Sequence, residues 1–250
     1  ETYTQFLQNF WDPSEFEHIY DYSNSYYSQI SKLEMEVLSP GQLRRFFMII
    51  EEQKVSKRNW AVYQNKTALD GVLMGYLIQG SYDAGHNDFS FDSYRRTRHF
   101  GYGIKGTKER ALRIRLHSDF NIKSFKNAVY CEAHIGGKSS DAGNYVQFSK
   151  FIIEGDPGYC VGNGAKHSYF KAIGDAKSAG ESAEDCHFEI MGNAGSFLGS
   201  SAKRSKFLVS GDVDSFYANN SKQCEFFLEG NVENKKENKF YLAQFHTSNP

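Results

Sequence analysis

Six segments of this chain repeat one heptad-long phrase. They are Cys131-Glu-Ala-His-Ile-Gly-Gly137, Ser149-Lys-Phe-Ile-Ile-Glu-Gly155, Ser168-Tyr-Phe-Lys-Ala-Ile-Gly174, Cys186-His-Phe-Glu-Ile-Met-Gly192, Ser205-Lys-Phe-Leu-Val-Ser-Gly211 and Cys224-Glu-Phe-Phe-Leu-Glu-Gly230. Their closing glycines are 18, 19, 18, 19 and 19 residues apart. Within the phrase, positions one, three and five alternate with more polar neighbours, which is the period of a strand with one buried face. A strand that recurs at fixed spacing cannot bury its own inner face. Stacking successive copies does, and the chain becomes a solenoid with one copy per rung.

The phrase therefore predicts three internal ladders. Position one is Ser or Cys throughout. Position three is Phe from Phe151 onward, after Ala133. Position five is aliphatic. A Gly-Asx pair after most strands (155–156, 174–175, 192–193, 211–212, 230–231) marks a corner. A small residue three places before position one recurs at Ala128, Ala165, Ala183, Ala202 and Ser221, with Val146 as the exception. Leu112-Arg-Ile-Arg-Leu-His-Ser118 fits the phrase with serine in place of glycine, and Met74-Gly-Tyr-Leu-Ile-Gln-Gly80 fits at three positions. Trp60-Ala-Val-Tyr63 reads as a strand, residues 81–107 as an irregular basic excursion, and Phe240–Phe245 as a final strand or closing tail.

The glycine-rich rung Gly155-Asp-Pro-Gly-Tyr-Cys-Val-Gly-Asn-Gly164 resembles a rung of the C-terminal domain of the glutamate synthase large subunit, a domain also found in formylmethanofuran dehydrogenase. The resemblance spans about residues 118–232. It implies a right-handed parallel β-helix that serves as a structural element in contact with other subunits and not as a catalytic one. The second and third glycines of that rung are lost later, as at 212–217.

The N-terminal part carries a different period. Residues 3–38 have apolar positions at three- and four-residue spacing (Phe16, Ile19, Tyr20, Tyr27, Ile30, Leu33, Val37), which predicts helix. Ser39-Pro40-Gly41-Gln42 combines a capping serine, proline at the first helical position and glutamine three places on, so a further helix starts there. The expected organisation is a helical segment over residues 1–58 and a mainly β, right-handed parallel β-helix over 59–245.

The chain's 250 residues have a net charge of −1, which gives no global attraction to nucleic acid or membranes. No apolar run is long enough to span a bilayer. Charge is uneven locally. Seven acids face Lys32 alone in residues 1–38, and eight bases (Arg95, Arg96, Arg98, Lys105, Lys108, Arg110, Arg113, Arg115) face Glu109 alone in residues 94–117. The basic stretch interleaves Tyr94, Phe100 and Tyr102, so it is a candidate anion or nucleic-acid surface, or a match for the acidic helix. Ile152, Ile173, Met191, Leu208 and Phe227 fall on outward positions and form a candidate patch for the N-terminal helices or a partner.

Cys131, Cys186 and Cys224 share the inward position but lie rungs apart, too far for a disulfide, which predicts reduced thiols and a cytoplasmic setting. No metal-ligand spacing, cofactor motif or catalytic constellation is present in the sequence. These features point to a non-enzymatic scaffold or interaction component of a larger assembly, with a protein partner or self-assembly. A polyanion binder through residues 94–115 and a polysaccharide-acting β-helix enzyme are the alternatives.

Overall fold

A computed structural model describes residues 37–52, 60–214, 218–232 and 244–247. Nine strands, β1 (Asp88–Arg98), β2 (Leu112–Ile122), β3 (Cys131–Ser140), β4 (Lys150–Ile153), β5 (Tyr169–Ala172), β6 (His187–Ile190), β7 (Lys206–Val209), β8 (Glu225–Leu228) and β9 (Gln244–Thr247), form one sheet in sequence order. Every neighbouring pair is parallel, and phrase positions match rung to rung: Ala133 against Phe151, then Phe170, Phe188, Phe207 and Phe226. Single bridges stack along other sides of the turn, from Lys105 through Val129, Gln147, Lys166, Glu184 and Lys203 to Lys222, and from Gly158 through Ala176, Ala194 and Val213 to Val232. The fold is a parallel β-solenoid.

The phenylalanines of position three stack face to face. Ring centroids of successive pairs from Phe151 to Phe226 are 4.9–5.2 Å apart, with interplanar angles of 4–14°. Ala133 leaves a gap in this column, and Phe125 fills it. Phe125 sits six residues before position one, where the following rungs carry Gly143, Gly162, Gly180 and Gly199. All five residues have left-handed backbones, with φ between 59 and 68°. Each of those glycines lies so close to the phenylalanine column that a Cβ would press on a ring; at Gly180 it would be 2.6 Å from Phe207 and 2.8 Å from Phe188. The β3 rung has exchanged the large and small members of this pair. Phe125 then joins edge-on to Phe151 on one side and Phe100 on the other, and Phe100 meets Phe91 and Phe47.

Position one forms a polar ladder. The hydroxyls of Ser149, Ser168 and Ser205 accept from the backbone N–H of Cys131, Ser149 and Cys186 in the preceding rung, each at 3.1 Å. The same hydroxyls donate to the carbonyls of Gln147, Lys166 and Lys203. Cys186 and Cys224 donate from sulfur to the corresponding carbonyls of Glu184 and Lys222. This is why Ser and Cys interchange here: both carry a small donor able to reach the carbonyl two residues back. The Asx corners form a second ladder, in which Asp175, Asn193 and Asp212 accept from the N–H of Asn193, Asp212 and Asn231 at 2.7–2.8 Å. The glycine before each Asx is required by contact and not by backbone angle. A Cβ on Gly192 would lie 2.5 Å from Asp175 Oδ1 and 2.8 Å from the backbone of Gly174.

Two helices cover the start of the solenoid, α1 (Pro40–Glu52) and α2 (Trp60–Asp83), and both pack on β1. The capping box at Ser39 forms as expected: its hydroxyl accepts from Gln42 N–H, and the Gln42 side chain accepts from Ser39 N–H at 2.9 Å. Leu43, Phe47 and Ile50 turn inward from α1. The expected strand at 60–63 and rung at 74–80 are instead part of α2. Consecutive residues from Gly71 to Gly75 are buried, so this helix is apolar on all sides in this stretch, and a short apolar run cannot distinguish that from a buried strand. Gly71 and Gly75 let α2 approach the backbone at Arg98 and Tyr102. The solenoid accordingly begins at Asp88, not at residue 59. Within the expected excursion at 81–107, Asp88–Arg98 is the first strand, with Phe89 and Phe91 in the core. Residues 3–36 and 240–243, for which helix and strand were expected, lie outside the described residues; the closing strand is Gln244–Thr247.

Candidate functional site

The residue just before position one has a left-handed backbone in every rung from β3 to β8, and glycine never occupies it. Tyr130, Phe148, His167, Asp185, Arg204 and Gln223 have φ between 46 and 55°. A left-handed residue turns the chain sharply, and its side chain here stands at the surface. With the second residue of each phrase (Glu132, Lys150, Tyr169, His187, Lys206, Glu225), this column flanks a groove of about 950 Å³ along the solenoid axis. The buried position-one residues form its floor.

The first wall begins as stacked rings. Tyr130 and Phe148 are 5.0 Å apart, and Phe148 and His167 4.9 Å, with interplanar angles of 13° and 9°. Rings stacked along the axis cover one another's faces and turn their edges to the groove. The wall then becomes charged. His167 Nδ1 lies 3.7 Å from Asp185 Oδ2, and Arg204 grips both Asp185 oxygens at 2.8 Å and Glu184 at 2.6 Å. Hydrogen bonding to Arg204 holds the Asp185 and Glu184 carboxyls below their usual range, and Lys166 adds to the effect on Glu184.

Tyr169 and His187 have their rings 5.5 Å apart on the second wall. His187 and Lys171 each reach Glu189 at 3.4 Å. Burial alone would raise Glu189, but Tyr169, Lys171 and His187 outweigh it and hold the carboxyl below its usual range. Lys150 Nζ stands 5.8 Å from the Tyr169 ring centroid and Lys206 Nζ 4.5 Å from that of Phe227.

The expected basic cluster is spread over several roles. Arg110 packs 4.0 Å over the Tyr82 ring and donates to its carbonyl, tying the 107–111 turn to α2. Arg113 pairs with Glu132 at 3.2 Å and Arg115 with Asp88 at 3.2 Å, all of them exposed. These two arginines line a smaller hollow of about 160 Å³ with His134, Lys150 and Ile152. Burial lowers the Arg98 pKa, against the opposing pull of Asp141. Lys105 is exposed, with its backbone bonded to Gln79 of α2, and Lys108 lines one end of the axial groove. Arg95 and Arg96 lie on β1.

The outer apolar stripe is interrupted. Ile152, Leu208 and Phe227 share the fourth phrase position, where Lys171 and Glu189 intervene as an ion pair. Ile173 and Met191 sit two residues further on and are about half exposed. The helices α1 and α2 pack on β1 and not across this stripe.

The cysteines are free, and Cys131, Cys186 and Cys224 are buried. Burial pushes the Cys131 thiol up and raises Cys160 and Cys186 to about 11. No group of His, Cys, Asp and Glu among the described residues is arranged to hold a metal ion, and no described helix is long and apolar enough to cross a membrane. Comparisons with protein-family models, curated proteins and solved structures find no match to this chain.

The groove wall was not identified from the sequence. Its column mixes aromatic, acidic, basic and amide residues, so it has no compositional signature. The available signal was the run Tyr130, Phe148, His167, three ring-bearing residues at rung spacing.

Proposed function

We propose that this chain is a non-enzymatic interaction module, a rigid solenoid that offers its axial groove to a protein partner within a larger assembly. The carrying observation is how most of the carboxylates in and beside the groove are engaged by cations. Asp185 is held by Arg204, Glu132 by Arg113, and Glu189 by Lys171 and His187. The shifted carboxyls among these move away from neutrality, whereas a general acid or base is tuned toward it. The buried thiols stay protonated near neutral pH, so they are poor nucleophiles. Such groups shape a surface and carry charge; they do not move protons.

The resemblance to the glutamate synthase C-terminal domain fits this role, because that domain is a structural element in contact with other subunits. A right-handed coil is part of the proposal, since parallel strands joined within one sheet are connected that way in nearly every fold. A reducing, cytoplasmic setting is part of it as well: Cys186 and Cys224 use their S–H groups as hydrogen-bond donors, which oxidation would remove.

The test is a thermal-shift panel of peptides, glycans, oligonucleotides and nucleotides, with each ligand recovered and weighed by mass spectrometry. A binder raises Tm in proportion to the logarithm of its concentration above Kd. The expected outcome is a Tm shift with a peptide ligand recovered unchanged. Chemical conversion of any ligand would refute the non-enzymatic reading.

A further inference from the structure

We propose that the axial groove holds an extended acidic peptide of about seven to nine residues, with carboxylates toward both ends and apolar or aromatic side chains between them. The inference rests on the groove's being the recognition surface and specifies its ligand. From Tyr130 to Gln223 the wall climbs five rung spacings of about 4.8 Å, so its length is about 24 Å, that of some seven extended residues.

Charge sets the ends. Lys108, Lys150 and Lys206 line the groove; Glu132 and Glu225 are the register partners of Lys150 and Lys206 on the neighbouring strands, but none of the three lysines forms an ion pair among the described residues. Lys150 and Lys206 are three rungs apart, about 14 Å. Between them the lining is mostly ring-bearing, His167, Tyr169 and His187, with Asp185 the one acid there and already held by Arg204. The two histidines there already face Asp185 and Glu189. A uniformly charged polymer would set anions against this ring-lined middle, where no free lysine waits. A polypeptide can place apolar side chains there and acids on either side.

Two further observations exclude other modes of recognition. The rings of Tyr130, Phe148 and His167 cover one another's faces, which removes the platform that single-stranded bases stack on. The backbone of the floor is already committed to the neighbouring rungs: Tyr169, His187 and Lys206 donate to Ser149, Ser168 and Cys186, while Cys131, Ser149 and Cys186 donate to serine hydroxyls. A peptide in the groove therefore gains no strand pairing and is selected by its side chains alone.

Fluorescence anisotropy with the labelled peptide Glu-Glu-Ser-Phe-Ser-Leu-Ser-Glu-Glu tests this at low salt. Saturable binding is expected, at least tenfold weaker in Lys150→Glu and in Lys206→Glu, and unchanged in Lys177→Glu, which lies off the groove. Circular dichroism and Tm establish that the three variants fold. The same peptide with Ser for Phe and Leu, nonaglutamate and oligothymidylate should each bind at least tenfold more weakly. Equal affinity of the groove variants overturns the proposal, as does nonaglutamate or oligothymidylate binding as tightly as the peptide. Absence of peptide binding overturns it too; if the thermal-shift panel yields another unconverted ligand, the interaction-module reading survives that failure.

Discussion

The exchange between Phe125 and Ala133 can be transplanted. In the β6 rung, Phe188 is buried and stacked between Phe170 and Phe207, and Gly180 holds the position that Phe125 takes in the β3 rung. Phe188→Ala removes a ring from the column and should cost about 3–5 kcal/mol. Gly180→Phe alone drives a side chain into Phe188 and Phe207. Overpacking of about 1–3 kcal/mol adds to about 1–2 kcal/mol for a left-handed non-glycine residue. Added together, these reach about 5–10 kcal/mol, comparable to the whole stability of many domains. If the two positions share one volume, the new ring occupies the space vacated at 188. The double variant then keeps the backbone cost and an imperfect fit, about 2–4 kcal/mol, so the coupling energy is about 3 kcal/mol or more. Urea unfolding followed by circular dichroism, run as a double-mutant cycle, measures it. A double variant as unstable as the sum of the single ones would refute the idea that the two sites trade volume.

The remaining predictions concern the ladders. Ser168→Ala leaves the Ser149 N–H without its acceptor, while the Lys166 carbonyl keeps the Phe148 N–H, and should cost about 1–3 kcal/mol by urea titration. Ser168→Cys, which copies position 186, should recover part of that loss. Asp212→Asn keeps an oxygen for the Asn231 N–H and should be near neutral, whereas Asp212→Ala should cost about 0.5–1.5 kcal/mol in the same assay. Burial raises the Cys186 thiol to about 11, against about 8.5 in the unfolded chain. The fold thus favours the protonated form: the contribution is complete below pH about 8.5 and is lost as pH rises from there to about 11. Iodoacetamide at pH 8.5 should therefore modify Cys186 in urea and spare it in the native protein, read by mass spectrometry.

The ladders were legible because stacking repeats an environment, and a repeated environment selects a repeated residue. Phe151, Phe170, Phe188, Phe207 and Phe226 show this, as does the restriction to Ser or Cys beside them. What depends on one rung alone was not legible. Phe125 compensates for Ala133 from eight residues away in the chain, and neither residue signals the trade by itself. Met74–Gly80 mimics a rung because most of the helix from Gly71 to Ile78 is buried, which blurs the helical period, while Gly71 and Gly75, which look like strand punctuation, are helix contacts. The groove wall stayed hidden for another reason. Its left-handed positions are set by the corner the chain must turn, which constrains backbone more than side chain, so Asp185 and Arg204 occupy the same place as Phe148.

Nearly all of the solenoid's backbone bonds run between successive turns, parallel to the rod, and the chain leaves each turn only to enter the next. Tension applied between the two ends of the rod should therefore act on one junction at a time. The response should be stepwise, with each step from β2 onward freeing one turn of 18 or 19 residues, about 60 Å of slack. The rod would behave less like a beam that snaps than like a tether that lengthens in equal increments and shortens again as turns rejoin the intact end.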